Sequence, residues 1–180
     1  MNTTNIIAKD FKHGENFKIG HYCVIGEEVT VGDNVTIENH CVLTGKVTIG
    51  NNTVVKNHVE LRENTIIGND CQIDSKVSSS GNCKIGNNVT LRYDTIVARG
   101  VEIGDNTYVC PRVMTNNLDT GKNAIGGAKI GKKCFIGTNA VLHYGIVIAD
   151  NVTIGSMSFV NKSIDEEGST YIGIPAKKLK

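Results

Sequence analysis

Hydrophobic positions recur every sixth residue along most of this chain. Counted from Ile19, the leads are Ile19, Ile25, Val31, Ile37, Leu43, Ile49, Val55, Leu61, Ile67, Ile73, Ser79, Ile85, Leu91, Val97, Ile103 and Val109. All but Ser79 are Val, Ile or Leu. Four residues after each lead runs a second series of Cys, Val or Thr, from Cys23 to Val113. A helix repeats at about 3.6 residues and a strand at about 2.0, so neither keeps a strict six. A coil of short strands joined by tight corners does.

A period of eighteen lies on top of the six. Gly follows the lead at 32, 50, 68, 86 and 104, and two residues drawn from Asn and Asp follow each Gly. These residue types tolerate positive φ, so one corner recurs on five successive turns. Three hexads then close one triangular coil, and residues eighteen apart stack about 4.8 Å above one another. The expected fold is all-β, a parallel β-helix with three hexapeptides per coil.

The register breaks once, over residues 115–129, and resumes at Ile130, Ile136, Leu142, Ile148, Ile154 and Val160. That polar, glycine-rich segment is predicted to be one protruding loop, of the kind that often lies on a binding face. Residues 1–18 read as an N-terminal cap, with Phe17 in a small slot as a plug for the open end. Residues 19–164 form the β-helix domain, and 165–180 a short C-terminal tail. The aliphatic leads, at about 1.5–3 kcal/mol each when buried, make an ample core.

Composition adds mainly exclusions. The net charge is +1, which gives no global field for nucleic acid or an anionic membrane. The N-terminus has no uninterrupted apolar run, so neither a signal peptide nor a membrane span is read there, and a cytoplasmic location is expected. Five of six cysteines (Cys23, Cys41, Cys71, Cys83 and Cys134) occupy the small inward series and read as core, and there is no C-x-x-C pair. Cys110 lies outside that series. No G-x-S-x-G elbow, P-loop or dinucleotide fingerprint occurs.

Stacking in eighteens exposes the candidate chemistry. One corner carries the column Tyr22, His40, His58, Lys76, Asp94 and Arg112, and two residues earlier Glu38, Lys56, Asp74 and Arg92 alternate in sign. The alternating column is a structural ladder. In the other, a carboxylate flanked by cations stays ionised, fit to bind an amine or take its proton, so Asp94 is a catalytic candidate with His58. Lys76, Tyr93 and Arg112 are candidate substrate contacts. The column is expected to end beside the loop, because Arg112 is three residues before Thr115. His143, one residue after the lead Leu142, is a second candidate base.

The repeat resembles the hexapeptide-repeat acyltransferases, the left-handed β-helix family, over nearly the whole chain. Lys129-Ile130-Gly131, Ile148-Ala149-Asp150-Asn151 and Gly173-Ile174-Pro175-Ala176-Lys177 look like the end of bacterial sugar acetyltransferases, and the Gly-x-Pro-Ala-Lys tail resembles those acting on nucleotide-linked amino sugars. The resemblance implies the left hand, a homotrimer with sites between subunits, and acetyl-CoA as acyl donor, with no metal required. It implies Gly137, Gly155, Ser156, Gly173 and Pro175 along the donor, with Lys177 or Lys178 near its phosphate. Where O-acetylating relatives carry a histidine after the Thr of the loop strand, this chain has Asn116 and Asn117, which become candidate substrate contacts. Another branch carries a histidine in the coil before; here Ala98-Arg99 stands in that stretch. The branch that acetylates amino sugars without a clear base resembles this chain at Tyr93-Asp94.

The leading expectation is therefore an acyl-CoA-dependent N-acetyltransferase of an amino sugar, with a nucleotide-linked sugar favoured, serving cell-surface glycan biosynthesis. Sugar O-acetylation is the nearest alternative. A γ-type carbonic anhydrase needs a three-histidine zinc site for which the spacing is absent, and a non-catalytic scaffold is the third. Outward apolar residues Val24, Val42, Ile66, Ile96 and Met114 support self-association.

Overall fold

The structure, a computed structural model, describes residues 4–179. Residues 1–3 of the expected cap and Lys180 of the expected tail lie outside the described residues. Each lead and the residue before it form a two-residue strand, paired in parallel with the strand eighteen residues on, as Ile25 with Leu43 and Leu43 with Leu61. Three sheets result. Sheet A has nine strands, from Ile6–Ile7 to Phe159–Val160. Sheet B has eight, from Lys12–His13 to Val147–Ile148, and sheet C ten, from Lys18–Ile19 to Lys177–Lys178. The chain passes from A to B to C in every coil, so the prism has an A–B, a B–C and a C–A edge.

Leads and small series fill the prism. Ile25, Ile37, Leu43, Leu61, Ile73, Leu91, Ile136, Leu142 and Ile154 are all fully buried. The polar members of the small series have a second task. Cys23, Cys41, Cys71 and Cys83 donate their thiols to the carbonyls of Glu38, Lys56, Gly86 and Ala98, each fifteen residues on. Thr53 and Thr95 do the same to Gly68 and Cys110. Each ties down a corner carbonyl that the sheet ladders miss, which a buried backbone acceptor requires. Ser79, the one polar lead, is also paired: its Oγ lies 2.7 Å from Thr65 Oγ1 and accepts from the amide of Gly81.

The B–C edge is the uniform one. Asn34, Asn52, Asp70, Asn88 and Asn106 hold left-handed φ near +57° or just below or above it. The preceding side chain accepts from the coil below: Asn51 from the Asp33 amide, Asn69 from Asn51, Asn87 from Asn69 and Asp105 from Asn87, at 2.8–2.9 Å. Glycine is needed just before, since a Cβ on Gly86 would come within 2.5 Å of Asp105 Oδ1.

Three boundaries differ from the sequence expectation. The coil starts earlier than residue 19: Ile6–Ile7 and Lys12–His13 already pair with Val24–Ile25 and Thr30–Val31. Phe17 packs on the core together with Phe11, their rings 5.3 Å apart, so two aromatics fill the lower end. At the loop, Thr115 still occupies a buried sheet position opposite Leu142, and Lys129 already pairs with Glu102. The register offset therefore grows from 18 to 27, an insertion of nine residues, closed by a bridge between Leu118 and Ala124. The tail returns to the solenoid: Thr170–Ile172 adds a parallel strand to sheet C, and Lys177–Lys178 folds back antiparallel on it. Among the described residues no helix is long and apolar enough to cross a membrane.

Burial pushes the Cys41 thiol up to about 12 and raises those of Cys71, Cys110 and Cys134. Thiolates are the reactive species. Iodoacetamide at pH 8 is thus expected to leave all six cysteines of the native protein unlabelled and to label six after denaturation; fast native labelling would contradict the burial. A second outcome concerns Asp105, whose carboxyl is held below its ordinary range by the Asn87 amide and by Lys132. A depressed folded pKa contributes stability above the unfolded value near 4, and that contribution is lost as pH falls through the folded value. Asp105→Asn keeps an acceptor for Asn87 but not the charge, so its urea midpoint is expected below wild type at pH 7, with the gap closing as pH falls below the ordinary carboxylate range. A gap independent of pH would rule this out.

Candidate functional site

The candidate residues divide between the two edges that flank sheet A. The C–A edge carries the column Tyr22, His40, His58, Lys76, Asp94 and Arg112, every one in left-handed φ between +58° and +63°. That geometry turns each side chain out of the corner in a vertical file. Tyr22 stacks on His40 at 5.1 Å and His40 on His58 at 4.8 Å, rings within 13° of parallel. The ammonium of Lys76 lies 5.4 Å over the ring of Tyr93, whose hydroxyl pushes the Lys76 pKa up. Arg112 Nε is 3.9 Å from Asp94 Oδ2. Asp94 thus stands between a cation below and one above, its carboxylate 46% exposed and open to a ligand. His58 is two coils from Asp94, with the Lys76 coil between them, so the structure does not pair this candidate base with the carboxylate.

The neighbouring column, Glu38, Lys56, Asp74, Arg92, Cys110, Gly137 and Gly155, forms the inner side of the same edge. Asp74 is the one buried carboxylate among the described residues. Lys56 Nζ stands 2.7 Å from its Oδ1 and Arg92 Nε 2.6 Å from its Oδ2. Arg92 also donates to the Tyr108 hydroxyl, and its guanidinium lies over the Tyr108 ring. Those two partners raise the Arg92 pKa further, the Tyr108 contact most. Sequence reasoning passed over Asp74, Arg92 and Tyr108 as functional residues. The sign alternation in steps of eighteen was the signal.

Higher on this edge the inner column loses its side chains, while the outer column continues as Asn139 and exposed Met157. A Cβ on Gly137 would come 2.4 Å from the Ser156 amide, and one on Gly155 2.6 Å from Ile172 Cγ2, so coil packing itself demands glycine. Ser156 is exposed beside them. The turn of the tail, Gly173 to Ala176 with Pro175 between, caps this end: Ser158 Oγ accepts from Gly173, and Ala176 donates to the Phe159 carbonyl. Lys178 is taken up by Glu166 at 2.6 Å, whereas exposed Lys177 has no ion-pair partner among the described residues.

Asn116, Asn117 and His143 belong to the other edge. The expectation that the Asp94 column runs into the loop is corrected here. Strand Met114–Thr115 carries the chain across sheet A, and the loop leaves from the A–B edge. There Asn116 donates its amide to Leu142, which sets it one coil below His143. The His143 ring lies 3.8 Å from Tyr144 and edge-on to Phe159. The carbonyl of Asn117 accepts from Ile125 and Gly126 and closes the loop root. One chain therefore does not bring these three residues to Asp94.

Between the two edges, the outer face of sheet A presents Val24 and Val42 below and Ile96, Met114, Val141 and Phe159 above, with Glu60 and Ser78 between them. Ile66, grouped with them from sequence, is on sheet B. An open groove of about 490 Å³ lies on sheet B along Lys84, Glu102, Lys129 and Val147, away from the candidate catalytic, substrate and donor residues of the two edges. Among the described residues no three His, Cys, Asp or Glu side chains are grouped to hold a metal ion.

Known proteins match this geometry at two levels. Residues 12–45 and 127–162 match the family model described as bacterial transferase hexapeptide (six repeats). The bifunctional protein GlmU of Carboxydothermus hydrogenoformans is 33% identical over 84 residues, which is 44% of this chain and 19% of that protein. Among solved structures, the UDP-N-acetylglucosamine O-acyltransferase LpxA of Moraxella catarrhalis superposes with a TM-score of 0.84 at 22% identity, over 98% of this chain and 72% of that one. LpxA of Acinetobacter baumannii gives 0.79 at 22% identity, over 99% and 72%. These superpositions establish a shared fold. The matched segments cover less than half of the chain, and the six-residue register and three-sheet coil agree with their hexapeptide repeats.

Proposed function

We propose that the protein is an acyl-CoA-dependent acyltransferase that moves an acetyl group onto the amine of an amino sugar, with a nucleotide-linked sugar favoured. The observation that carries this reading is the C–A edge. It joins an accessible carboxylate between two cations to a column of bare backbone at Gly137 and Gly155 and a tail turn higher up. The transferase class is supported by the matched repeats. Nitrogen as acceptor is supported by Asp94 and by the absence of a histidine between Thr115 and His143.

Asp94 would hold the protonated amine by charge and take its proton, directly or through one water. The free amine then attacks the thioester carbonyl, and the tetrahedral oxyanion is met by a backbone N–H of a neighbouring coil; the C–S bond breaks as the second amine proton passes to the sulfur, and coenzyme A leaves as the thiol. Gly137, Gly155 and Ser156 would line the pantetheine. A long, thin donor suits an inner column where no side chain can stand. Lys177 is the free tail cation for a donor phosphate.

A homotrimer fits the placement of the remaining candidates. Packing through the apolar face of sheet A would set the A–B edge of one copy, with Asn116, Asn117 and His143, beside the C–A edge of the next. O-acetyl transfer is the competing reading, and His143 beside the loop root is the residue that would carry it.

Calorimetry of acetyl-CoA on metal-free protein, followed by assay of nucleotide amino sugars, tests the reading. Asp94→Asn is expected to lower turnover about 10²–10⁴-fold while acetyl-CoA affinity stays within twofold. Unchanged turnover would remove Asp94 from the chemistry. His143→Ala is expected to leave N-acetylation within a few-fold, and a collapse there would move the base to the loop edge.

A further inference from the structure

Asp74 poses a question that its fold position does not answer. The same column holds Cys110, Gly137 and Gly155, so the coil accepts small neutral residues there. Burying a carboxylate is costly unless it is paired, and hydrophobic or neutral replacements are often as stable. What the carboxylate does is orient cations. With Nε on Asp74 and Nη1 on the Tyr108 hydroxyl, the Arg92 guanidinium is held at two points, yet its side chain remains 43% exposed. Nη2 has no protein partner among the described residues. Tyr108 is itself braced by Phe135, their rings parallel within 4° at 5.8 Å.

The surroundings select an anion. Over the four corners from 56–58 to 110–112, Lys56, Lys76, Arg92 and Arg112 face only Asp74 and Asp94, an excess of two positive charges. The whole chain has a net charge of only +1. Above Arg92 the corner column itself narrows to Cys110 and two glycines, so from the coil above the guanidinium meets the Tyr108 ring and no long side chain of its own column. A planar guanidinium held in place by a carboxylate and a phenol, with its outer edge free, matches phosphate oxygens better than a mobile lysine does.

We propose that Arg92 is a diphosphate anchor, and that Asp74 and Tyr108 are the positioning residues that aim it. The site takes a ligand bearing a diphosphate of charge near −2, with the reacting group toward Asp94. This extends the transferase reading by naming where the acceptor's phosphates rest.

The test uses the full-length protein and inorganic pyrophosphate as probe, with uridine diphosphate as a second. Wild type is expected to bind both, and Arg92→Gln to weaken binding roughly tenfold to a hundredfold, the loss of one charge-assisted contact. Tyr108→Phe removes a single hydroxyl without disturbing the coil and is expected to weaken binding several-fold; in an acyl-transfer assay it should raise KM for the acceptor and leave kcat near wild type. Asp74→Asn should weaken binding as well, and Tyr108→Phe carries the test if that variant does not fold. Arg112→Gln is the control. Equal losses for Arg92→Gln and Arg112→Gln would mean a diffuse field and overturn the anchor, as would wild-type protein that binds neither probe or binds them undiminished in Arg92→Gln. Acetyl-CoA binding, measured on the same samples, reports on the transferase reading separately.

Discussion

Everything in this molecule depends on turning a corner three times per coil without leaving a backbone group unpaired. The two-residue strands satisfy their amides through the coil above, but each corner leaves a carbonyl facing inward. A thiol or hydroxyl in the small series, fifteen residues earlier, donates to several of these carbonyls, as Cys41 does to Lys56 and Thr53 to Gly68. Those donors explain why Cys and Thr intersperse with Val in a series that packing alone would leave wholly aliphatic. A six-residue repeat is therefore a hydrogen-bonding device as much as a hydrophobic one.

Most of the fold was legible because the constraint is periodic. A lead that fails to point inward would break the stack above and below it, so the sixes stay visible through sixteen repeats. Legibility failed where a different term took over. Ile6 and Ile7 pair with the next coil although they are largely exposed, because the backbone ladder alone suffices at an end and leaves no buried lead to count. Thr115 keeps a lead position with a polar side chain, which hid the true start of the insertion; its hydroxyl accepts from Ala98 and donates to Ile96. The tail rejoins sheet C as Thr170–Ile172, a single irregular strand that no repeat could announce.

The candidate site was half legible for the same reason. Columns follow from stacking, so Lys76, Asp94 and Arg112 were found as neighbours by counting eighteens. Nearness along the chain misled at Arg112, because a strand of sheet A separates the corner from the loop that follows it. Three residues of β-structure span about 10 Å, enough to cross from one edge of the prism to the other. Asp74 was undervalued because an alternating ladder looks the same whether its members are solvated or buried. Only burial distinguishes a surface ion pair, worth little, from a carboxylate that must be paired.

The three edges also differ in what their side chains are free to do. On the B–C edge, Asn51, Asn69, Asn87 and Asp105 are committed to the amides of the coil below, and little remains for a ligand. On the C–A edge only the lower coils use that device, Asn39 and Asn57 accepting from the amides of His21 and Asn39, and charges and rings at the ends of long side chains hold the column together above them. Such contacts leave charged groups at the surface, where a ligand can compete for them or add to them. Asp94, loosely held by Arg112 at 3.9 Å, can exchange that partner for an ammonium group. Arg92, held closely by Asp74, cannot swing away and keeps only its outer edge to offer. A loose carboxylate beside a fixed guanidinium is a division of labour suited to an acceptor with an amine at one end and phosphates at the other: one group must follow a proton, and the other must not move.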